Sequence, residues 1–103
     1  MKVWCDPNDE DSAWAKSVVE MDYEVLVVSQ FTLHANLKKG NKPDFHCAMS
    51  SVPAREAFDA CVDMYKQFYR PDKIQTGSFG SMMKVSLEND GPVTFCLEVT
   101  PSP

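Results

Sequence analysis

His46 beside Cys47 sets a base next to a thiol, and Thr32 with His34 sets a hydroxyl two residues from an imidazole. Both pairs have the residue types of nucleophilic catalysis. Neither has the spacing. Adjacent residues of an extended chain point to opposite sides, so His46 and Cys47 are expected to face apart, and no third group to orient the histidine is evident. Thr32 and His34 would share one face of a strand at a separation of about 7 Å, too far for a direct hydrogen bond. The other cysteines, Cys5, Cys61 and Cys96, form no C-x-x-C pair, and two histidines do not complete a zinc pattern. All four thiols are read as reduced core or surface side chains. Neither a metal nor another cofactor is expected.

Two other segments carry small polar groups where a core strand should stay apolar. VLVVSQFTL, Val25 to Leu33, breaks its apolar run with Ser29, Gln30 and Thr32, and ENDGPVTFCLEV turns at Asp90-Gly91 into Pro92, Val93 and Thr94. One such segment is a strand leaving the core. Two call for a common explanation, and the elements around them must bring them together.

At 103 residues the chain is expected to be a single domain, 1–103, with a modest core. Its 44% hydrophobic and 24% charged residues are ordinary for a soluble globular protein. No apolar run approaches the ~18 to 20 residues that cross a bilayer, and MKVWCDPNDEDS lacks the apolar centre of a signal peptide. A cytoplasmic location without membrane contact is the expectation. The net charge of −5 argues against coating long stretches of nucleic acid, but not against gripping one RNA end. The basic residues cluster, with Lys38, Lys39 and Lys42 in one loop and Lys66, Arg70 and Lys73 around a later bend. The loop cluster reads first as solvated charge.

Residues 5–13 read as an acidic exposed loop. Tyr23 to Thr32 is expected as a strand buried on both faces, and 34–51 as a long loop of the kind that often carries function. A helix is expected over 52–69. Ser51 can cap it, Pro53 and Glu56 suit its start, and Arg70-Pro71 stop it. Ala54, Ala57, Phe58, Cys61, Tyr65 and Phe68 make one apolar stripe along it. Gly77-Ser78-Phe79-Gly80 is turn-prone. Met83, Val85 and Leu87, then Val93, Phe95, Leu97 and Val99, alternate with polar neighbours and predict a hairpin around Asp90-Gly91. Pro92 must sit where it opens or at an edge. The terminal TPSP should fray.

SQFTL at Ser29 to Leu33 and NDGPVT at Asn89 to Thr94, in that order and separation, resemble the two signature motifs of the D-aminoacyl-tRNA deacylases, also called D-tyrosyl-tRNA deacylases. KGNKPDFH, the Ala48-Met49 pair, YRP, and FG with MMKV fit the same family, and KGNKPDFH and YRP look most like its eukaryotic members. The resemblance covers nearly all of the chain. It implies an α+β fold with an antiparallel-rich, barrel-like sheet packed by one main helix. Family members carry an N-terminal strand-and-turn segment with an arginine, and this chain is expected to be truncated before it. Met1 to Trp4 then aligns with the end of an inner strand, leaving sheet edges unpaired.

The resemblance also implies chemistry. Members hydrolyse the ester of D-aminoacyl-tRNA, D-Tyr-tRNA among others, and free the D-amino acid and the tRNA. An aminoacyl ester is already reactive, so the site mainly positions its carbonyl and admits a water. By similarity, the N–H groups near Gln30 and Phe31 stabilise the oxyanion, while Ser29 and the Gln30 side chain hold the strand end and the ribose end. Thr32 positions rather than attacks, and the tRNA's own 2′-hydroxyl helps the water. Gly91-Pro92, joined by a cis peptide, enters the neighbouring subunit of a homodimer. Its carbonyls receive the ammonium of a D-amino acid and exclude an L side chain, so glycine should also be accepted. Phe79, Met82 and Met83 are candidates for the pocket floor or rim, and Thr94 completes the substrate-binding set. The alternative is a non-catalytic form that keeps dimer or RNA-end contacts without shaping the pocket.

Overall fold

A computed structural model describes residues 1–38 and 40–99. The chain runs through β1 (Lys2–Trp4), β2 (Lys16–Ser17), α1 (Val18–Met21), β3 (Val25–Val27), a 3-10 turn (Phe31–His34), α2 (Ser51–Phe68), a second 3-10 turn (Pro71–Lys73) and β4 (Ile74–Thr76). This is an α+β chain with one main helix. Between β1 and β2 the acidic loop folds on its own carboxylates, with Asp6 Oδ1 accepting from Asn8 N at 2.9 Å and Asp9 Oδ1 from Asp11 N at 3.2 Å. Ser17 and Glu20 then form a capping box on α1. The Ser17 N–H bonded to Glu20, followed by Lys2, lowers that carboxyl below its ordinary range.

Helix α2 matches its expected span to within one residue at each end. Its N-cap is Ser50 rather than Ser51, and no side-chain bond closes the cap. The covered face follows Ala54, Phe58 and Val62 at four-residue steps, and only Val62 on it is fully buried. Cys61 and Phe68, assigned to the stripe, stand exposed. Beyond the helix, Tyr69 Oη donates to Tyr23 O at 2.8 Å, and Arg70 bonds Asp22 Oδ1 at 2.9 Å and Asp72 Oδ2 at 3.1 Å. Asp72 and then Asp22 raise the Arg70 pKa above its ordinary value. Lys73 Nζ lies 3.8 Å from Asp22. Arg70 and Lys73 of the second basic cluster therefore tie the end of α2 to the end of α1, aligning β3 with β4.

The sheet differs from expectation. β1 and β2 pair antiparallel, whereas β3 and β4 pair parallel in the register Val25↔Ile74, Leu26↔Gln75, Val27↔Thr76. Parallel neighbours need a crossover, and α2 supplies it. These are two two-stranded sheets with ladders of two or three residues, not an antiparallel-rich barrel. The strand expected over Tyr23–Thr32 shortens to Val25–Val27, and Leu26 is 63% exposed rather than buried. The hairpin is absent as a ladder: residues 81–99 join no strand among those described. Their alternation marks a face to be covered, but pairing also needs a neighbour to take up N–H and C=O groups, and Pro92 has no N–H to give. Lys39 and the terminal TPSP lie outside the described residues.

Val62 and Ile74 are the buried hydrophobic residues among those described, each contributing about 1.5–3 kcal/mol by leaving water. Leu33 is 83% and Phe68 80% exposed, and Leu87, Leu97 and Val99 are similarly bare. No helix among the described residues is long and apolar enough to cross a membrane.

Candidate active site

The two strands of the parallel pair deliver the two sides of a cleft. Past β3, Val28 to Gln30 leave the sheet, and Gln30, in extended conformation (φ −152, ψ 95), caps the 3-10 turn beginning at Phe31. Past β4, Gly77 N donates to Val27 O at 3.0 Å, prolonging the ladder by one bond. A Cβ at Gly77 would meet Val28 Cγ2 and Met83 Cε at 3.4 Å, so glycine lets these segments run close. Ser78 to Ser81 then turn back, closed by Ser81 N on Ser78 O at 3.3 Å and by the two hydroxyls 2.6 Å apart, with Gly80 at φ 68.

The cleft has a volume of about 900 Å³, within the range of small-molecule sites. Ser29, Gln30, Phe31 and His34 line it from the β3 exit, and Phe79, Met82 and Met83 from the turn after β4. The first turns of α2 add Ser51, Ala54 and Phe58, and the preceding loop adds Phe45, Ala48 and Met49. Aromatic pairs frame it. Phe31 meets Phe45 edge to face at 4.9 Å, and Phe58 meets Phe79 at 5.5 Å. The Arg55 guanidinium sits 5.5 Å from the Phe79 ring centroid, a cation–π contact at the same wall.

Of the residues singled out from sequence, Ser29, Gln30, Phe31, Phe79, Met82 and Met83 thus meet at one cleft. Thr32 is not on its lining. Its hydroxyl accepts a hydrogen bond from the Gln30 side-chain amide. Thr32 and His34 lie on a 3-10 turn rather than a strand. Gly91, Pro92 and Thr94 also stay off the lining and are exposed. The Gly91-Pro92 peptide is cis, and Gly91 has φ 113.

One expectation is reversed. His46 and Cys47 do not face apart: His46 Nε2 lies 3.2 Å from Cys47 Sγ. A third group is present too, since Asp44 Oδ2 is 2.5 Å from His46 Nδ1 and Asp44 Oδ1 accepts the His46 N–H at 3.0 Å. The chain turns here instead of extending. That N–H, followed by the imidazole, holds the Asp44 carboxyl below its ordinary range. Sequence reasoning also missed Phe45 and Arg55 and assigned Phe58 to the core. The signal available for Phe45 was its place inside KGNKPDFH.

The model of the family described as D-Tyr-tRNA(Tyr) deacylase matches residues 1–98. A D-aminoacyl-tRNA deacylase of Plasmodium falciparum (isolate 3D7) is 43% identical over 98 residues, covering 95% of this chain and 58% of its own length. D-aminoacyl-tRNA deacylase 1 of Mus musculus is 50% identical over 90 residues, covering 87% and 42% respectively. Among solved structures, the "c-Myc DNA Unwinding Element Binding Protein" superposes with a TM-score of 0.85 at 42% identity, covering 98% of this chain and 66% of that one. The fold therefore falls in the same class of α+β proteins as that structure. The chain belongs to the D-Tyr-tRNA(Tyr) deacylase family. It spans about half the length of the curated relatives it matches.

Proposed function

We propose that this chain acts as a D-aminoacyl-tRNA deacylase, hydrolysing the ester between a D-amino acid and the terminal ribose of tRNA in the cytoplasm. The supporting observation is the cleft, where the SQF end of the first motif and the Phe79–Met83 turn meet in a largely apolar site of ligand size. The ester carbonyl lies against the N–H groups of Gln30 and Phe31, which face the charge that develops on its oxygen. Water adds to the carbonyl carbon with help from the ribose 2′-hydroxyl. The C–O bond to the 3′-oxygen then breaks, giving the free amino acid and a tRNA ending in a hydroxyl. Ser29 and Gln30 orient the reacting end, and Thr32 steadies the Gln30 amide. Met82, Met83 and Phe79 bound the side chain.

Chirality is read by the second motif in a homodimer. Gly91 and Pro92, exposed and away from their own chain's cleft, enter the partner's cleft, with Thr94 behind them. Their carbonyls accept the ammonium group and leave no room for an L side chain. The exposed apolar surface supports association with a second copy.

Exclusion by clash has a direct consequence. Gly-tRNA should be hydrolysed and L-Ala-tRNA spared, as followed by release of labelled amino acid. Equal hydrolysis of the two would mean that no wall reads the α-carbon.

A further inference from the structure

The Asp44–His46–Cys47 array lies outside the proposed chemistry. We propose that Cys47 is a selective modification site for small-molecule disulfides, with His46 as its base and Asp44 as the positioning residue that orients His46. Exposure does not single it out, because Cys5, Cys47, Cys61 and Cys96 are all exposed free thiols. Its neighbours do. His46 Nε2, 3.2 Å from Cys47 Sγ, is within reach to take the thiol proton as sulfur attacks. His46 Nδ1 is held at 2.5 Å by Asp44 Oδ2, so the far nitrogen is turned toward the sulfur. Asp44 is itself fixed, exchanging backbone bonds with Asn36 at 2.7 and 2.9 Å and bonding the His46 N–H through Oδ1. Nucleophile, base and orienting carboxylate are the three parts that activate a thiol. The three side chains do not converge into a metal site.

In the reaction Cys47 Sγ attacks one sulfur of the disulfide. A protein–S–S–R bond forms, the original S–S bond breaks, and the departing thiolate takes up the proton that His46 received. Thiol and disulfide exchange one for one, with no further oxidant. The adduct stands between Phe45 and Ala48, two residues of the cleft lining, so it loads the loop that packs on Phe31.

The test is the rate of capture of 2-hydroxyethyl disulfide by each cysteine of the intact chain, read by peptide mass spectrometry at one fixed pH. Cys47 should react about tenfold or more faster than the other three. His46→Gln should erase that lead, Asp44→Asn should reduce it, and Asp44→Glu should restore part of it. The rates of Cys5, Cys61 and Cys96 should stay unchanged, as they lie outside the array, and the circular dichroism of each variant should match that of the parent chain and so report that it is folded. Reaction of Cys47 at the pace of the others, or a lead that survives His46→Gln, would overturn the proposal.

Discussion

Phe31→Pro should lower kcat for D-Tyr-tRNA hydrolysis by about 100- to 1,000-fold, the usual effect of removing one oxyanion donor. Of the backbone groups at that position, proline deletes only the N–H. Phe31 is the first residue of its 3-10 turn, and the opening N–H groups of a helix have no acceptor inside it. Gln30 is extended, the conformation that a residue before proline favours. The substitution also removes the ring that packs on Phe45, so Phe31→Ala is the control, keeping the N–H and losing the ring. It should cost only a few-fold, and more in KM than in kcat. Thr32→Val should cost no more than about tenfold, whereas loss of a nucleophile costs several orders of magnitude. Equal losses in Phe31→Pro and Phe31→Ala would remove the N–H from the mechanism.

Gly91→Ala is the second large effect expected, about 100-fold in hydrolysis, the scale of a roughly 1 Å misplacement at a reacting centre. Gly91 has φ 113, where side chains are strained, and an added Cβ would sit 3.3 Å from Val93 N. The carbonyls on either side must shift to relieve it. The proposed sharing of the site between subunits makes a further demand, because each cleft would then combine residues 29–31 of one chain with Gly91 of the other. Reassociating equal amounts of the Phe31→Pro and Gly91→Ala chains should restore about a quarter of the parental activity, since half the dimers are mixed and each has one intact site. Mixing that restores nothing would put both motifs in the same chain's site.

The helix was the most legible element, because Pro53, Arg70-Pro71 and the apolar repeat between them act within one segment. What lay across the chain was harder to read. The run from Tyr23 to Thr32 has the composition of a strand, but pairing with Ile74–Thr76 covers only Val25 to Val27, and Phe31 to His34 wind into a turn. The alternation at 83–99 was real, but it does not say whether a neighbouring strand is there to bond. For the site, the first motif led to Ser29, Gln30 and Phe31, and the intervening FG and MMKV led to Phe79, Met82 and Met83, all lining one cleft, whereas Gly91, Pro92 and Thr94 of the second motif lie off it. Phe58 reaches it from α2, where its place in the apolar stripe marked it as core, and Phe45 from the preceding loop, marked only by its place inside KGNKPDFH. Asp44, His46 and Cys47 misled because alternation was assumed where a turn brings neighbours to one side.

The most direct measurement is release of tyrosine from D-Tyr-tRNA and L-Tyr-tRNA, side by side, by this chain with its folding verified. The proposed site predicts rapid release from the D ester and none above the spontaneous rate from the L ester. Release from both would contradict the exclusion wall, and release from neither would contradict the deacylase itself.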